Sequence, residues 1–157
     1  VGKGSASYEI MQYLVKRLLV IPFPRQARNK CQPVAISDVI KYLVGVLEVP
    51  ETAGKDFDIG GRDVLTYKEL LKVLAGLLDK RTIFIPFPFF NIGLYTYLAS
   101  LLTPIPNSIT RCLVEGLKNE AICHDESIKK YFPFEPMSYK EAVLRTIPPE
   151  KQDNAPR

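Results

Sequence analysis

A thiol, an imidazole and two carboxylates stand together at Cys123-His124-Asp125-Glu126, and His124 is the only histidine of the chain. These groups can ligate a metal or pair a nucleophile with a base. Consecutive side chains diverge on helical or extended backbone, however, and tetrahedral zinc needs four ligands that the neighbouring sequence does not supply, so the segment reads as a solvated helix start. Val1-Gly2-Lys3-Gly4 allows two readings: a backbone-open loop with Lys3 near an anion at the first amides of the following helix, or a flexible turn. Neither Gly-x-Gly-x-x-Gly nor Gly-x-x-x-x-Gly-Lys-Ser/Thr occurs, so the standard phosphate cradles are absent from the sequence. Between Thr82 and Thr110 there is no Asp, Glu, Lys or Arg, while Phe84, Phe87, Phe89, Phe90, Tyr95 and Tyr97 cluster there. The helical part of that stretch, between Pro88 and Pro104, is about fifteen residues, short of the roughly twenty that cross hydrocarbon. It reads first as a buried core helix, and otherwise as a pocket wall or interfacial patch, because a helix apolar on all sides must be covered. Cys31 and Cys112 read as small buried residues.

The elements that must position these groups come from a chain of 157 residues with 46% hydrophobic and 24% charged residues, enough to bury a core in one ordinary domain. The net charge of +4, from 21 basic and 17 acidic residues, comes without long like-charge blocks and gives no nucleic-acid footprint. Three cysteines without Cys-x-x-Cys spacing argue against a disulfide framework and for a reducing, cytoplasmic setting. Residues 1–8 lack a signal-peptide pattern, and the Val-Gly-Lys-Gly start resembles a strand entering a loop, so further sequence is expected upstream. A substrate-side domain is expected over 1–147 and a disordered tail over 148–157.

Apolar spacing predicts a helix over 5–17, then a short strand over 18–21 stopped by Pro22 and Pro24. An extended segment over 33–36, with Ser37 as cap, leads into a helix to about Val49. The alternation over 56–59 predicts a strand ending at Gly60-Gly61. Thr66-Tyr67-Lys68-Glu69 and Ser138-Tyr139-Lys140-Glu141 are capping boxes, each opening a helix. A strand over 82–85 and helices over 89–102, 107–119 and 125–131 complete the pattern. The result is α/β and helix-rich, with strands too few and short for a complete covered sheet.

Three segments carry a family resemblance. Val1-Gly2-Lys3-Gly4 resembles the Val/Tyr-Gly-Pro-Gly turn after a late Rossmann strand in extended short-chain dehydrogenases/reductases. Gln32-Pro33-Val34-Ala35-Ile36-Ser37-Asp38-Val39 resembles their Phe-Val-His-Val-Asp-Asp-Val strand-into-helix motif. Asp56-Phe57-Asp58-Ile59-Gly60-Gly61 with Leu65-Thr66-Tyr67-Lys68-Glu69-Leu70 resembles their Tyr-Asn-Ile-Gly-Gly strand and Leu-Thr-Tyr-x-Glu-Leu helix start. The matches span roughly residues 1–80 and are most similar to the atypical NAD(P)H-binding members, NmrA-like or nucleoside-diphosphate-sugar-epimerase-like, which include relatives of a complex I accessory subunit.

The resemblance implies the C-terminal, substrate-side part of a Rossmann-type protein, with the dinucleotide loop and catalytic Tyr-x-x-x-Lys upstream. No tyrosine here has lysine four positions on: Tyr67 has Leu71 and Tyr139 has Val143. This chain alone is therefore expected to contain no catalytic or cofactor-binding residue, and NAD or NADP would belong to the intact protein, an oxidoreductase or epimerase. Cys31 stands where sugar-nucleotide members place arginine, and Lys3 replaces the proline of the glycine turn. The loss of the guanidinium fork favours an apolar or amphipathic substrate, with Ser5, Ser7, Tyr8 and Met11 facing Cys31 as wall residues and Lys3 nearby. The partners implied are that small molecule, the N-terminal Rossmann half and a possible second copy. The alternatives are a nucleotide-sensing or complex-assembly module and an apolar-ligand or membrane-surface binder using 82–110.

Overall fold

The computed structural model describes residues 1–87 and 91–147. The expected tail over 148–157 and the aromatics Phe89 and Phe90 lie outside the described residues. Helices dominate: α1 (Ala6–Arg17), α2 (Ile36–Glu48), α3 (Tyr67–Leu77), α4 (Ile92–Leu102), α5 (Asn107–Gly116) and α6 (Tyr139–Leu144). Four short strands, β1 (Val20–Pro24), β2 (Lys30–Cys31), β3 (Leu65–Thr66) and β4 (Ile83–Phe87), form two two-stranded sheets.

β1 and β4 run parallel, with Val20 opposite Ile83 and Pro24 opposite Phe87. Pro22 and Pro24, expected to stop the first strand, lie within β1, and Pro86 lies within β4, where the sequence puts the strand's end at 85. The Leu19 carbonyl accepts the Ile83 N–H at 2.8 Å, which sets the phase of the ladder. In a parallel pair alternate residues turn both backbone groups to the partner, so the backbone N–H and C=O of Ile21 on one strand and of Ile83 and Ile85 on the other point across the ladder. Pro22, Pro24 and Pro86 occupy the alternate positions, where no N–H is asked of them.

β2 pairs antiparallel with β3, Cys31 opposite Leu65, and the Ala121 N–H donates to the Lys30 carbonyl at 3.0 Å on the other side. The stretch expected over 33–36 is extended up to Ala35 and lies beside Val1, whose carbonyl accepts the Ile36 N–H at 2.9 Å, but it forms no named strand and α2 already starts at Ile36. The segment 56–59 forms no ladder; its alternation serves side-chain contacts, with Asp58 accepting the amides of His124 and Asp125 at 3.0 and 3.3 Å. Gly61 explains the glycine corner that follows, because a Cβ there would lie 1.9 Å from the Pro33 carbonyl oxygen.

Ala35, rather than Ser37, stands at the N-cap of α2, and Ser37 lies inside the first turn with its hydroxyl 3.9 Å from Met137 Sδ. The polar capping role is taken by neither residue, because the Asp38 carboxylate anchors this turn instead. Both capping boxes are complete: Thr66 Oγ1 accepts the Glu69 N–H at 3.2 Å, and Ser138 Oγ accepts the Glu141 N–H at the same distance. The helix expected at 125–131 is a 3₁₀ turn, Ser127–Lys130, with Asp125 accepting the Ser127 amide at 2.8 Å.

The core lies between α1, α3 and α6, where Val15, Leu74, Tyr139 and Val143 are at most 1% exposed. Two apolar faces remain open among the described residues. Ile36, Ile40, Leu43, Val44 and Leu47 form one stripe along α2, while its opposite face buries Tyr42 against Phe132 and Phe134. α4, read as a core helix from its composition, buries Thr96 and Ala99 and exposes Leu94, Tyr97 and Leu101. Composition made α4 apolar on every side, but its packing partners α1 and α5 cover one flank only. No helix of the described residues is long and apolar enough to cross a membrane.

Candidate functional site

The covered flank of α4 closes a cavity of about 660 Å³, a size usual for small-molecule sites. α1 contributes Met11 and Leu14, α3 contributes Leu71, α4 contributes Leu98 and Leu102, and α5 contributes Leu113. No Asp, Glu, Lys or Arg side chain belongs to the described lining. At the outer end, Arg17 Nη1 donates to the Leu102 carbonyl at 2.7 Å and so ties the end of α1 to the end of α4.

Polar groups gather at the opposite end. Tyr8, at the start of α1, is 3% exposed, and its hydroxyl meets Gln12 Nε2 at 3.2 Å and Thr146 Oγ1 at 2.8 Å. Cys31 donates its thiol to the Leu65 carbonyl at 3.4 Å, and burial pushes the thiol pKa up to about 11. It is therefore a neutral, unreactive thiol near neutral pH. Tyr67 and Tyr139 complete this end, and each follows its helix's cap residue directly. The Asp63 carboxylate accepts the Tyr139 amide at 2.8 Å and fixes the α6 start.

The two tyrosines differ from Tyr8 in that no hydrogen bond joins their hydroxyls to the described residues. Tyr139 is 1% exposed and its oxygen is sealed from solvent without a partner among the described residues. An unmade hydrogen bond of this kind costs about 1–3 kcal/mol. Burial raises its pKa strongly, with Tyr8 and Cys31 adding to the effect, and burial followed by Cys31 raises that of Tyr67. Both phenols therefore stay protonated and act as donors.

The structure brings Ser7, Tyr8, Met11 and Cys31 of the sequence-predicted residues into this cavity wall. Lys3 and Ser5 lie outside the lining: Lys3 is exposed, and the Ser5 amide closes a turn onto the Gly2 carbonyl at 3.1 Å. Gly4 takes φ +86° there, a left-handed position suited to glycine. Cys112, expected to be buried, is exposed on α5 yet still lines the cavity. Sequence reasoning missed Tyr67 and Tyr139. The repeated Thr/Ser-Tyr-Lys-Glu pattern was the available signal, but it was read for its caps and not for the aromatic beside each cap.

Cys123-His124-Asp125-Glu126 does not converge. The Cys123 amide donates to Gln32 Oε1 at 2.9 Å, Asp125 accepts the Ser127 hydroxyl at 2.6 Å and Glu126 pairs with Lys129 at 2.6 Å. No group of three or more His, Cys, Asp or Glu among the described residues could hold a metal ion.

The fold is mixed α/β and rich in helix, and it is similar to part of a larger solved protein structure. One such structure is the crystal structure of a nucleoside-diphosphate-sugar epimerase from Staphylococcus aureus, at TM-score 0.56 and 14% identity. The match covers 83% of this chain and 46% of that one, so the chain spans about half the length of the protein it resembles. No family model matches, and no curated protein matches at a significant level. The residues present do not fit a nicotinamide dinucleotide: the sequence has no glycine-rich phosphate loop, and the described lining has no Lys or Arg for a diphosphate.

Proposed function

We propose that this chain is the ligand-binding portion of a short-chain dehydrogenase-like protein and that it shapes a pocket for an apolar or amphipathic small molecule. In the intact protein the redox or epimerisation chemistry resides on a nicotinamide-bearing body outside these residues. The observation that carries the reading is the 660 Å³ cavity without a charged side chain in its described lining. Burying a diphosphate there would leave its charges uncompensated, a cost of several kcal/mol per ion. The Staphylococcus aureus protein is titled a nucleoside-diphosphate-sugar epimerase, and a nucleotide sugar is not the ligand proposed here. The test is a titration of the chain with the apolar fluorophore N-phenyl-1-naphthylamine, with a nucleoside-diphosphate sugar and with NADH. The fluorophore is expected to bind and the other two to leave it undisplaced. Micromolar binding of the nucleotide sugar without fluorophore binding would overturn the reading.

A second reading, a regulatory or assembly module, is favoured by the open α2 stripe, where Leu47 is 85% exposed. Such a stripe suits a packed neighbour, and the nicotinamide-bearing body or a second copy is the proposed occupant. Sedimentation of the Leu43→Glu variant distinguishes the two: a dimer lost on substitution supports assembly, and a monomer in both proteins removes the second copy.

A further inference from the structure

Three separate stretches of chain meet at one corner of the surface. Arg17, the last residue of α1, reaches the Leu102 carbonyl at the end of α4, and just beyond it the Leu19 carbonyl accepts the Ile83 N–H of β4. Each stretch sends a bare aliphatic side chain outward: Leu19 is 77% exposed, Ile83 63% and Leu101 67%. Behind Leu101 the apolar surface continues along one face of α4, because Leu94, Tyr97 and Leu98 precede it at helical spacing and are all exposed.

The border of this corner carries mostly one sign of charge. Lys16 and Arg17 close α1, Lys80 and Arg81 precede β4, and all four are exposed, against the carboxylate of Asp79. From Thr82 to Thr110 the sequence supplies no charge to interrupt the apolar part. Protein interfaces are depleted of lysine and match charges of both signs, so a protein partner fits this border poorly. Greasy points inside a cationic rim fit an anionic bilayer: aliphatic side chains enter the acyl boundary while the long Lys and Arg arms keep their charge among the headgroup phosphates. No helix of the described residues can span a bilayer, so such contact is peripheral.

We propose that this corner docks the chain on an anionic lipid bilayer, with Leu19, Ile83 and Leu101 in the acyl boundary and Lys80 and Arg81 on the headgroup phosphates. The inference goes beyond the pocket reading and does not depend on it. The two surfaces are neighbours all the same: Leu18, Val20, Leu98 and Leu102 wall the cavity directly behind the docked face.

The experiment co-sediments the full chain with phosphatidylcholine vesicles and with vesicles of equal parts phosphatidylcholine and phosphatidylglycerol. The proteins are wild type, the double variant Lys80→Gln with Arg81→Gln, the double variant Leu19→Ser with Leu101→Ser, and Leu47→Ser as a control on the open face of α2. Every substituted side chain is exposed, and thermal midpoints check that each variant folds. Wild type is expected to bind the anionic vesicles and to lose affinity as salt is raised. Neutralising Lys80 and Arg81 weakens that binding roughly twenty- to thirtyfold. The Leu19 and Leu101 double variant weakens it by more than about tenfold, and Leu47→Ser leaves it unchanged. No vesicle binding by wild type, equal binding to both vesicle types, or a loss in Leu47→Ser as large as in the Leu19 and Leu101 variant overturns the inference. A wild-type dimer that the Leu19 and Leu101 variant dissociates, without vesicle binding, assigns the corner to a second copy and overturns it as well.

Discussion

Asp38 Oδ2 accepts the Met137 N–H at 2.7 Å, joining the first turn of α2 to a loop 99 positions further along the chain. The other oxygen takes Lys41 Nζ at 2.8 Å, and Asp38 is 0% exposed. This contact sets the loop that leads into Ser138 and Tyr139 and so reaches the donor end of the cavity. Asp38→Ala strands a buried amide and an ammonium, and is expected to lower unfolding free energy by about 3 kcal/mol. Urea denaturation checks it through the midpoint at constant slope. A loss below about 1 kcal/mol would show that the loop is fixed by other contacts.

Gly61→Ala tests the close approach of two backbones. The added methyl carbon meets Pro33 O at 1.9 Å and Pro33 C at 2.9 Å, and neither atom can swing away as a side chain would. Overpacking against backbone is expected to cost about 2–3 kcal/mol, read as a lowered thermal midpoint. Gly76→Ala is the control: it has nothing within 4 Å of the added Cβ on α3 and should be neutral or stabilising.

The pH dependence follows from Cys31, whose folded pKa is about 11 against an ordinary 9.0. Below pH 9 both folded and unfolded forms hold the proton and stability is unaffected by this group. From pH 9 the unfolded chain releases the proton first, so stability falls as pH rises through about 11. Tyr67 and Tyr139 are raised too and extend the decline upward. Thermal midpoints measured across this alkaline range should fall, with a shallower initial fall in Cys31→Ala. At pH 8, iodoacetamide should label exposed Cys112 well before Cys31, by mass spectrometry.

Leu98 lines the cavity and is 37% exposed, so a lysine there can fold with its ammonium near solvent. Leu98→Lys is expected to weaken N-phenyl-1-naphthylamine binding about tenfold while leaving the thermal midpoint within a few degrees. Unchanged binding would place the fluorophore elsewhere.

Local features were legible because local physics decides them. α1 and both capping boxes follow from spacing and from cap chemistry, and Thr66, Glu69, Ser138 and Glu141 do what their order requires. The strand ends were not legible. Whether Pro22 or Pro86 breaks a strand depends on ladder phase, which the Leu19 to Ile83 contact sets across 64 positions of chain. The alternation at 56–59 looked like a strand, but pairing needs a neighbour that Asp58 exchanges for the amides of His124 and Asp125. The composition of α4 gives the apolar demand but not which faces are met: one flank is a cavity wall, one of the readings open to it, and the other stays exposed instead of forming core. Around the cavity, the positions of Ser7, Tyr8, Met11 and Cys31 are the ones the family likeness points to. Tyr67 and Tyr139 stood inside motifs already explained and were passed over for that reason.

The β1–β4 pair has a consequence for how the protein meets its own kind. An incoming strand aligned on either outer rim would encounter imino rings at Pro22, Pro24 and Pro86, with no hydrogen to offer its carbonyls. The rim is thus blunted against fibrillar stacking, even though Ile83 and Ile85 leave greasy surface beside it. Oligomers of this chain must then be joined by side-chain packing, never by lengthening this ribbon.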